Sequence, residues 1–273
     1  MAGDGDATEK LFELANAAAV RYAVCGGRSV VIRQDPSNTA TGGCIWETSY
    51  LLAEWAQREL APRLELSRAG RAPPLRCLEM GAGCGLLGVA LAHAGCKVLL
   101  TECEESMPNL EANVAANAPA PSPRGGQCAA ARLGWGNEAD AAAAVSQHGP
   151  FDVVLGTDVV FRSALVEPLL RTLWRCCSAA DTTCWLCCQV RCPDAHKVLV
   201  AIAPAFFARV VWREWDGFSF AEETDAFLLE LREPRAAGDL AAGLAAAQEA
   251  SAAPPPAAAA TAAAASGAGC EQQ

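Results

Sequence analysis

From residue 75 onward, short runs rich in Leu and β-branched residues alternate with segments whose apolar positions recur at helical spacing. Residues 75–80 and 97–101 read as strands, residues 86–94 and 106–118 as helices. This alternation is the signature of βαβ units on a parallel sheet. It continues with a strand near 130–133, a strongly apolar one at 151–156, a helix at 164–177, a strand at 183–190 and a helix at 194–207. Runs that are apolar throughout imply strands covered on both faces. Residues 210–215 and 226–231 are close enough in sequence to pair as a hairpin at one sheet edge. Ahead of this core, residues 22–25 and 29–32 flank Gly26-Gly27, a hairpin turn.

Composition divides the chain further. Past Arg235, the segment 236–273 has 38 residues, 19 of them Ala, with Pro254-Pro255-Pro256 in its middle and almost no large apolar side chain. Transient helicity around 240–250 fits the Ala content, but without an apolar stripe nothing docks it on the rest. The expected organisation is an N-terminal helix and hairpin extension over 1–40, a main domain over 41–235 and a disordered Ala/Pro-rich tail over 236–273. The Pro/Gly-rich stretches at 71–74 and 118–126 read as loops within the main domain.

Charge narrows the function. With 21 Lys plus Arg against 31 Asp plus Glu, the formal net charge is -10. That balance supplies no cation excess to displace counterions from a phosphate backbone, so nucleic acid is not the expected partner. No apolar run reaches the ~20 residues of a membrane span, and the first ten residues carry acid where a secretory signal carries base. A cytoplasmic protein is expected, with its 14 cysteines reduced and mostly buried as small hydrophobes.

Candidate chemistry begins at Glu79-Met80-Gly81-Ala82-Gly83-Cys84-Gly85, which follows one expected strand and opens the next helix. The glycines let backbone approach a ligand at the carboxyl end of the sheet. The spacing Glu-x-Gly-x-Gly-x-Gly departs from the G-x-G-x-x-G that seats a pyrophosphate, and the carboxylate of Glu79 would repel phosphate. An acid there suits a cofactor carrying an amino group and a sulfonium, as S-adenosylmethionine does. Glu102 ends the next strand, where a carboxylate accepts hydrogen bonds from both ribose hydroxyls. The competing view is a tight turn with two solvated acids. The ordered series of strand, glycine loop, helix, strand and acid favours a cofactor site.

Further motifs follow in a fixed order: Gly42-Gly43-Cys44-Ile45-Trp46-Glu47, residues 77–88, Leu99-Leu100-Thr101-Glu102, Asn109-Leu110-x-x-Asn113, Leu133-x-Trp135-Gly136 and Asp158-Val159-Val160-Phe161. Together they resemble the family-16 seven-strand (class I) methyltransferases of the methyltransferase-like 21 type, over residues 34–233. The resemblance implies an α/β, Rossmann-like sheet of seven mostly parallel strands, the last antiparallel, with helices on both faces. It implies S-adenosylmethionine as cofactor, held by Glu79, Gly81, Ala82, Gly83, Gly85 and Glu102, with Trp46 against it and Trp135 beside its adenine. Trp46 could equally be a core aromatic, whereas at Trp135 the flanking Gly134 and Gly136 let a flat ligand approach and favour the site.

The family's D-x-x-Y motif appears as Asp158 to Phe161, the aspartate matching and the tyrosine not. Asp158 is placed to orient the cofactor or accept a hydrogen bond from the substrate amine, or else caps a turn. Phe161 keeps an aromatic wall for a lysine side chain but lacks the hydroxyl. The implied activity is methyl transfer to a lysine of a protein substrate such as a chaperone, an AAA ATPase or a translation factor. Arginine, histidine or small-molecule acceptors, and a silent cofactor-binding module, remain as alternatives.

Several other signals carry less. The cysteines at 184, 187, 188 and 192, near His196, have zinc-like spacings, but strand alternation points Cys184 and Cys187 to opposite faces. Cys84 has no identifiable base, and His93 and His148 have no visible partner. Arg162, Trp215, Phe218 and Phe220 could border a substrate groove or be ordinary surface.

Overall fold

A computed structural model describes residues 17–25, 27–38, 41–120, 125–179, 181–215 and 225–252. The expected N-terminal helix, Gly26, residues 121–124, Phe218, Phe220 and the tail beyond 252 lie outside the described residues.

The chain opens with a hairpin of β1 (Ala19–Val24) and β2 (Arg28–Arg33), paired antiparallel. It continues as α1 (Glu47–Arg68), β3 (Arg76–Met80), α2 (Leu86–Ala94), β4 (Lys97–Glu102), α3 (Met107–Asn117), β5 (Gln127–Arg132) and α4 (Glu138–His148). The second half runs β6 (Val153–Thr157), α5 (Ser163–Cys176), β7 (Thr183–Cys188), α6 (Pro193–Phe206), β8 (Phe207–Arg213), β9 (Phe227–Pro234) and α7 (Ala237–Ala252). The seven-stranded sheet has the order β5-β4-β3-β6-β7-β9-β8. Strands β3 to β7 pair parallel, and β9 lies antiparallel between β7 and β8.

Every residue of β6 and β7 is buried, as expected of strands with helices on both sides. One apolar layer gathers Leu52, Trp55, Leu91, Trp185 and Cys187, the other Leu78, Leu170, Leu173, Cys184, Cys188 and Phe206. Cys184 and Cys187 thus face opposite layers, as alternation requires. In the first layer Trp55 meets Trp185 edge-on at 4.6 Å between ring centroids.

The sequence pattern does not single out α1 or α4: α1 carries Pro62 inside a long polar helix, and α4 is a run of Ala with only Ala141 and Ala144 buried. Strand β5 begins at Gln127, earlier than the expected 130, because its Ala-rich stretch pairs along the whole of β4.

The N-terminal hairpin is tied to the main domain by asparagines one helical turn apart. Asn113 accepts from Arg33 N at 2.9 Å and donates to Arg33 O at 2.8 Å, and Asn117 does the same with Val31 at 2.9 Å each. Side-chain amides thereby replace a neighbouring strand along the edge of β2. Gln34 closes the join, donating to Ala17 O and accepting from Ile45 N, both at 2.6 Å.

The chain past Arg235 corrects the expectation of an undocked segment. Residues 237–252 form α7, with Leu240 buried and Leu244 packed on the second apolar layer. Two leucines four apart share one face. The opposing surface is small, so α7 approaches closely: a Cβ on Gly243 would meet Ala205 Cβ at 3.1 Å. Arg235 fixes the entry, its N donating to Phe206 O at 2.9 Å and its Nε to Pro204 O at 2.7 Å, while Trp174 Nε1 donates to Arg235 O at 2.8 Å.

Candidate active site

Strand β3 lies between β4 and β6, so its two flanking connections leave in opposite directions and open a crevice beyond its carboxyl end. The glycine loop fills that position. Gly81 adopts φ +65°, and a Cβ on it would come within 3.1 Å of Trp135 and of Val159. Gly85, at φ +86°, turns the chain into α2, and a Cβ there would meet Leu110 Cδ1 at 2.8 Å. Both positions exclude larger residues on conformation and on space.

The loop borders a cavity of about 280 Å³ whose walls include Gly81, Ala82, Gly83, Gly85, Glu102 and Trp135. Trp46, Asp158 and Phe161 line the same cavity. Nine of the ten residues singled out from the sequence therefore meet in one place. Glu102 is buried at the end of β4, its Oε1 accepting from Gly83 N at 3.0 Å and its Oε2 from Cys103 N at 2.7 Å. Two backbone donors orient the carboxylate and leave lone pairs free toward the cavity. Trp135 is held by its flanks: Gly134 N donates to Asp140 Oδ2 at 3.0 Å and Gly136 N to Thr172 Oγ1 at 2.8 Å. Its ring lies 6.1 Å from that of Phe161, tilted by 59°.

Glu79 is the exception. It does not line the cavity; its side chain turns under the loop toward α2, where Oε2 accepts from Gly88 N at 2.8 Å and Oε1 has no hydrogen-bond partner. Alternation along β3 forces this, since Glu79 shares a face with Cys77, which packs in the α1 and α2 layer. Gly88 makes room, because a Cβ there would stand 2.5 Å from Glu79 Oε2. Burial pushes the Glu79 carboxyl up to about 8; the Gly88 amide partly opposes this and the charge of Glu102 adds to it. Glu79 thus lies beneath the loop, apart from the cavity wall that the other nine residues share.

Asp158 follows β6 in the left-handed conformation at φ 50°, a region asparagine and aspartate tolerate better than other side chains. Its N donates to Cys187 O at 3.0 Å, and its Oδ1 accepts from Gln189 N at 2.9 Å. Its Oδ2 pairs with Arg191 Nη2 at 2.8 Å, which also reaches Glu47 Oε2 at 2.9 Å. The Arg191 guanidinium sits 4.8 Å over the ring of Trp46, whose Nε1 donates to Thr41 O at 3.1 Å. A hydroxyl contact of 3.2 Å between Ser49 and Thr157 makes a second link from α1 to β6.

Sequence reasoning missed Arg191 and gave Glu47, quoted in a motif, no role of its own. The available signal was a cation directly after the strand read at 183–190, at the carboxyl end of the sheet. Arg162 does line the cavity, 5.9 Å from the centroid of Phe161. Cys84 is buried in the loop with its thiol pushed up to about 12, chiefly by desolvation, which disfavours the thiolate a nucleophile needs.

The residues present fit S-adenosylmethionine: a Cβ at Gly81 would crowd the Trp135 and Val159 side chains on the cavity wall, an oriented carboxylate ends the second strand, and an aromatic wall stands beside both. A parallel sheet with its switch point at such a loop defines a class I, S-adenosylmethionine-dependent methyltransferase. The chain belongs to the lysine methyltransferase family, whose model matches residues 27–203. Among its relatives is protein N-lysine methyltransferase METTL21A of Danio rerio, 27% identical over 66% of this chain and 75% of that protein. EEF1A lysine methyltransferase 3 of Mus musculus is 25% identical over 63% of this chain and 67% of its own length. Similar solved structures include the T. Thermophilus 16S rRNA N2 G1207 methyltransferase RsmC in complex with AdoMet and guanosine, with TM-score 0.49 and 17% identity, covering 79% of this chain and 50% of that one. Human methyltransferase-like protein 13 in complex with SAH has TM-score 0.46 and 15% identity, covering 78% of this chain and 95% of that one.

Proposed function

We propose that this enzyme methylates a lysine side chain of a protein substrate, with Glu102, Ala82 and the loop glycines on the cofactor and Asp158 and Phe161 at the acceptor. The observation that carries the reading is the single cavity joining the Glu102 carboxylate and the Trp135 wall to the aromatic and acidic side chains Trp46, Asp158 and Phe161. The names of the relatives support a protein lysine as acceptor.

When bound, the cofactor supplies a methyl group on a sulfonium. The chain's own residues then have three tasks. Glu102, oriented by two backbone amides, accepts ribose hydroxyls and fixes the cofactor along the sheet end. Trp46, Trp135 and Phe161 give the cavity apolar walls that exclude water and disfavour a charged ammonium, since the reacting nitrogen needs its lone pair. Asp158, fixed by Gln189 and Arg191, presents an oriented acceptor at the cavity rather than a mobile charge.

A chain of net charge -10 draws a basic segment of its partner. All cysteines among the described residues are free. No helix among the described residues is long and apolar enough to cross a membrane.

The test is to incubate the protein with tritiated S-adenosylmethionine and cytosolic extract, hydrolyse the protein fraction and separate the labelled amino acids. Label co-eluting with methyl-lysine is expected. Label on methylarginine or methylhistidine would overturn the choice of acceptor.

A further inference from the structure

Arg191 and Glu47 do not line the cavity, yet they connect two segments that do. The guanidinium is joined to Asp158 on the β6 side and to Glu47 on the α1 side, and it lies over Trp46. Three contacts from two elements fix a side chain that remains 32% exposed, whereas the Asp158 side chain it pairs with is only 4% exposed. A carboxylate that buried is a strong anchor for any cation in the cavity unless its charge is taken up. The backbone is committed to the arrangement as well. Asp158 holds φ 50° while its N donates to Cys187 O, and this conformation delivers one oxygen to Gln189 N and the other to Arg191. A residue kept in a sparsely populated region by several contacts marks a position whose orientation matters.

We propose that Arg191 is a positioning residue that acts through Asp158, taking up its charge so that the acceptor end of the cavity does not retain the amine as an ammonium. The inference rests on the lysine-transfer reading. Methyl transfer needs a nitrogen lone pair, and an uncompensated carboxylate beside the nitrogen would favour its protonated form. With Arg191 in place the formal charge of the Asp158, Glu47 and Arg191 group is -1; without it the group carries -2. That residual charge still draws a cationic side chain toward the mouth, while Gln189 N and Arg191 each donate to one Asp158 oxygen and leave it a second lone pair. The neighbouring Cys44 contributes no charge, since burial foremost, and then Glu47, raise its thiol above the ordinary value. Arg162, over Phe161, and Glu102, at the loop, are the other charged groups on the cavity wall, and neither bonds to Asp158.

The test uses two cofactor analogues and no acceptor. S-adenosylhomocysteine is uncharged at the transfer position. The analogue with an amine-bearing carbon in place of the methylsulfonium carries an ammonium there. Calorimetry on the full chain gives the ratio of their dissociation constants for the wild type, Arg191→Met and Arg191→Lys. In Arg191→Met the ratio is expected to shift toward the amine analogue by on the order of tenfold, because the freed carboxylate attracts the ammonium. Arg191→Lys keeps the charge and is expected to stay within about twofold of wild type. A merely structural role would weaken both analogues in proportion and leave the ratio unchanged, which overturns the proposal. So would an equal shift in Arg191→Lys. Should Arg191→Met fail to fold, Arg191→Gln, which keeps a donor without the charge, is expected to show the same shift. Because the ratio is read without any acceptor, it stands or falls separately from the search for methyl-lysine.

Discussion

Glu79→Gln separates two accounts of the glycine-loop acid. In the structure this carboxyl is buried beneath the loop, bound to Gly88 N through one oxygen, with its pKa raised from 4.5 to about 8 chiefly by desolvation. A carboxyl raised in the folded state binds its proton more tightly there than in the unfolded chain, so it subtracts stability as pH rises between those two values. Each unit is worth about 1.4 kcal/mol, giving a loss on the order of 3 kcal/mol by pH 7 and up to about 5 kcal/mol once the folded group has ionised. Glutamine keeps an oxygen for Gly88 and does not titrate. The assay is urea unfolding of both proteins at intervals from pH 5 to 9, taking the difference at each pH so that other titrating groups cancel. Wild type should lose stability relative to the variant by about 1.4 kcal/mol per unit from pH 5 to near pH 8, then level off. At pH 5 the variant should be the less stable, since its amide gains no acceptor where Oε1 already lacks a partner. A difference that stays constant across the range would refute the raised pKa. A large loss of S-adenosylmethionine affinity in the variant would return Glu79 to the cofactor.

Three further outcomes follow from the same geometry. Glu102→Ala should weaken S-adenosylmethionine binding by about 1–3 kcal/mol in calorimetry, through lost charge-assisted hydrogen bonds, and unchanged affinity would remove Glu102 from the site. Gly85→Ala should lower stability by at least about 2 kcal/mol in urea unfolding, because the left-handed conformation and the 2.8 Å approach to Leu110 penalise it together. Leu240→Ala should cost about 2 kcal/mol or more by the same measurement if α7 is docked, whereas a free segment would show no change.

What the sequence made legible lies at strand ends. Gly81 to Gly85, Glu102, Trp135 and Asp158 each sit where a periodic apolar run stops, so strand reading alone carries them to the carboxyl edge of one sheet. Glu79 stands one residue inside that edge, and its direction depends on which face α2 covers, a tertiary fact that spacing does not encode. Arg191 escaped notice because a long side chain reaches back across its own strand end to Asp158, and no periodicity records such a reach. The docking of α7 was hidden for a related reason. Leu240 and Leu244 are too few to stand out as a stripe, and the close approach of α7 rests on Gly243 meeting Ala205, two small residues that carry no apolar signal. The helix α4 likewise gave almost no apolar signal, being built from Ala under an Asn137 cap that accepts from Ala139 N and Asp140 N.

The most direct measurement incubates wild type and Asp158→Ala in parallel with tritiated S-adenosylmethionine and a cytosolic extract, followed by gel fluorography and peptide mass spectrometry of any labelled band. A band labelled by the wild type alone, with the added mass on a lysine, is the expected result. Calorimetric binding of the cofactor with no labelled protein band, or a band of equal strength from Asp158→Ala, would contradict a protein-lysine methyltransferase working at the Asp158 end of this cavity.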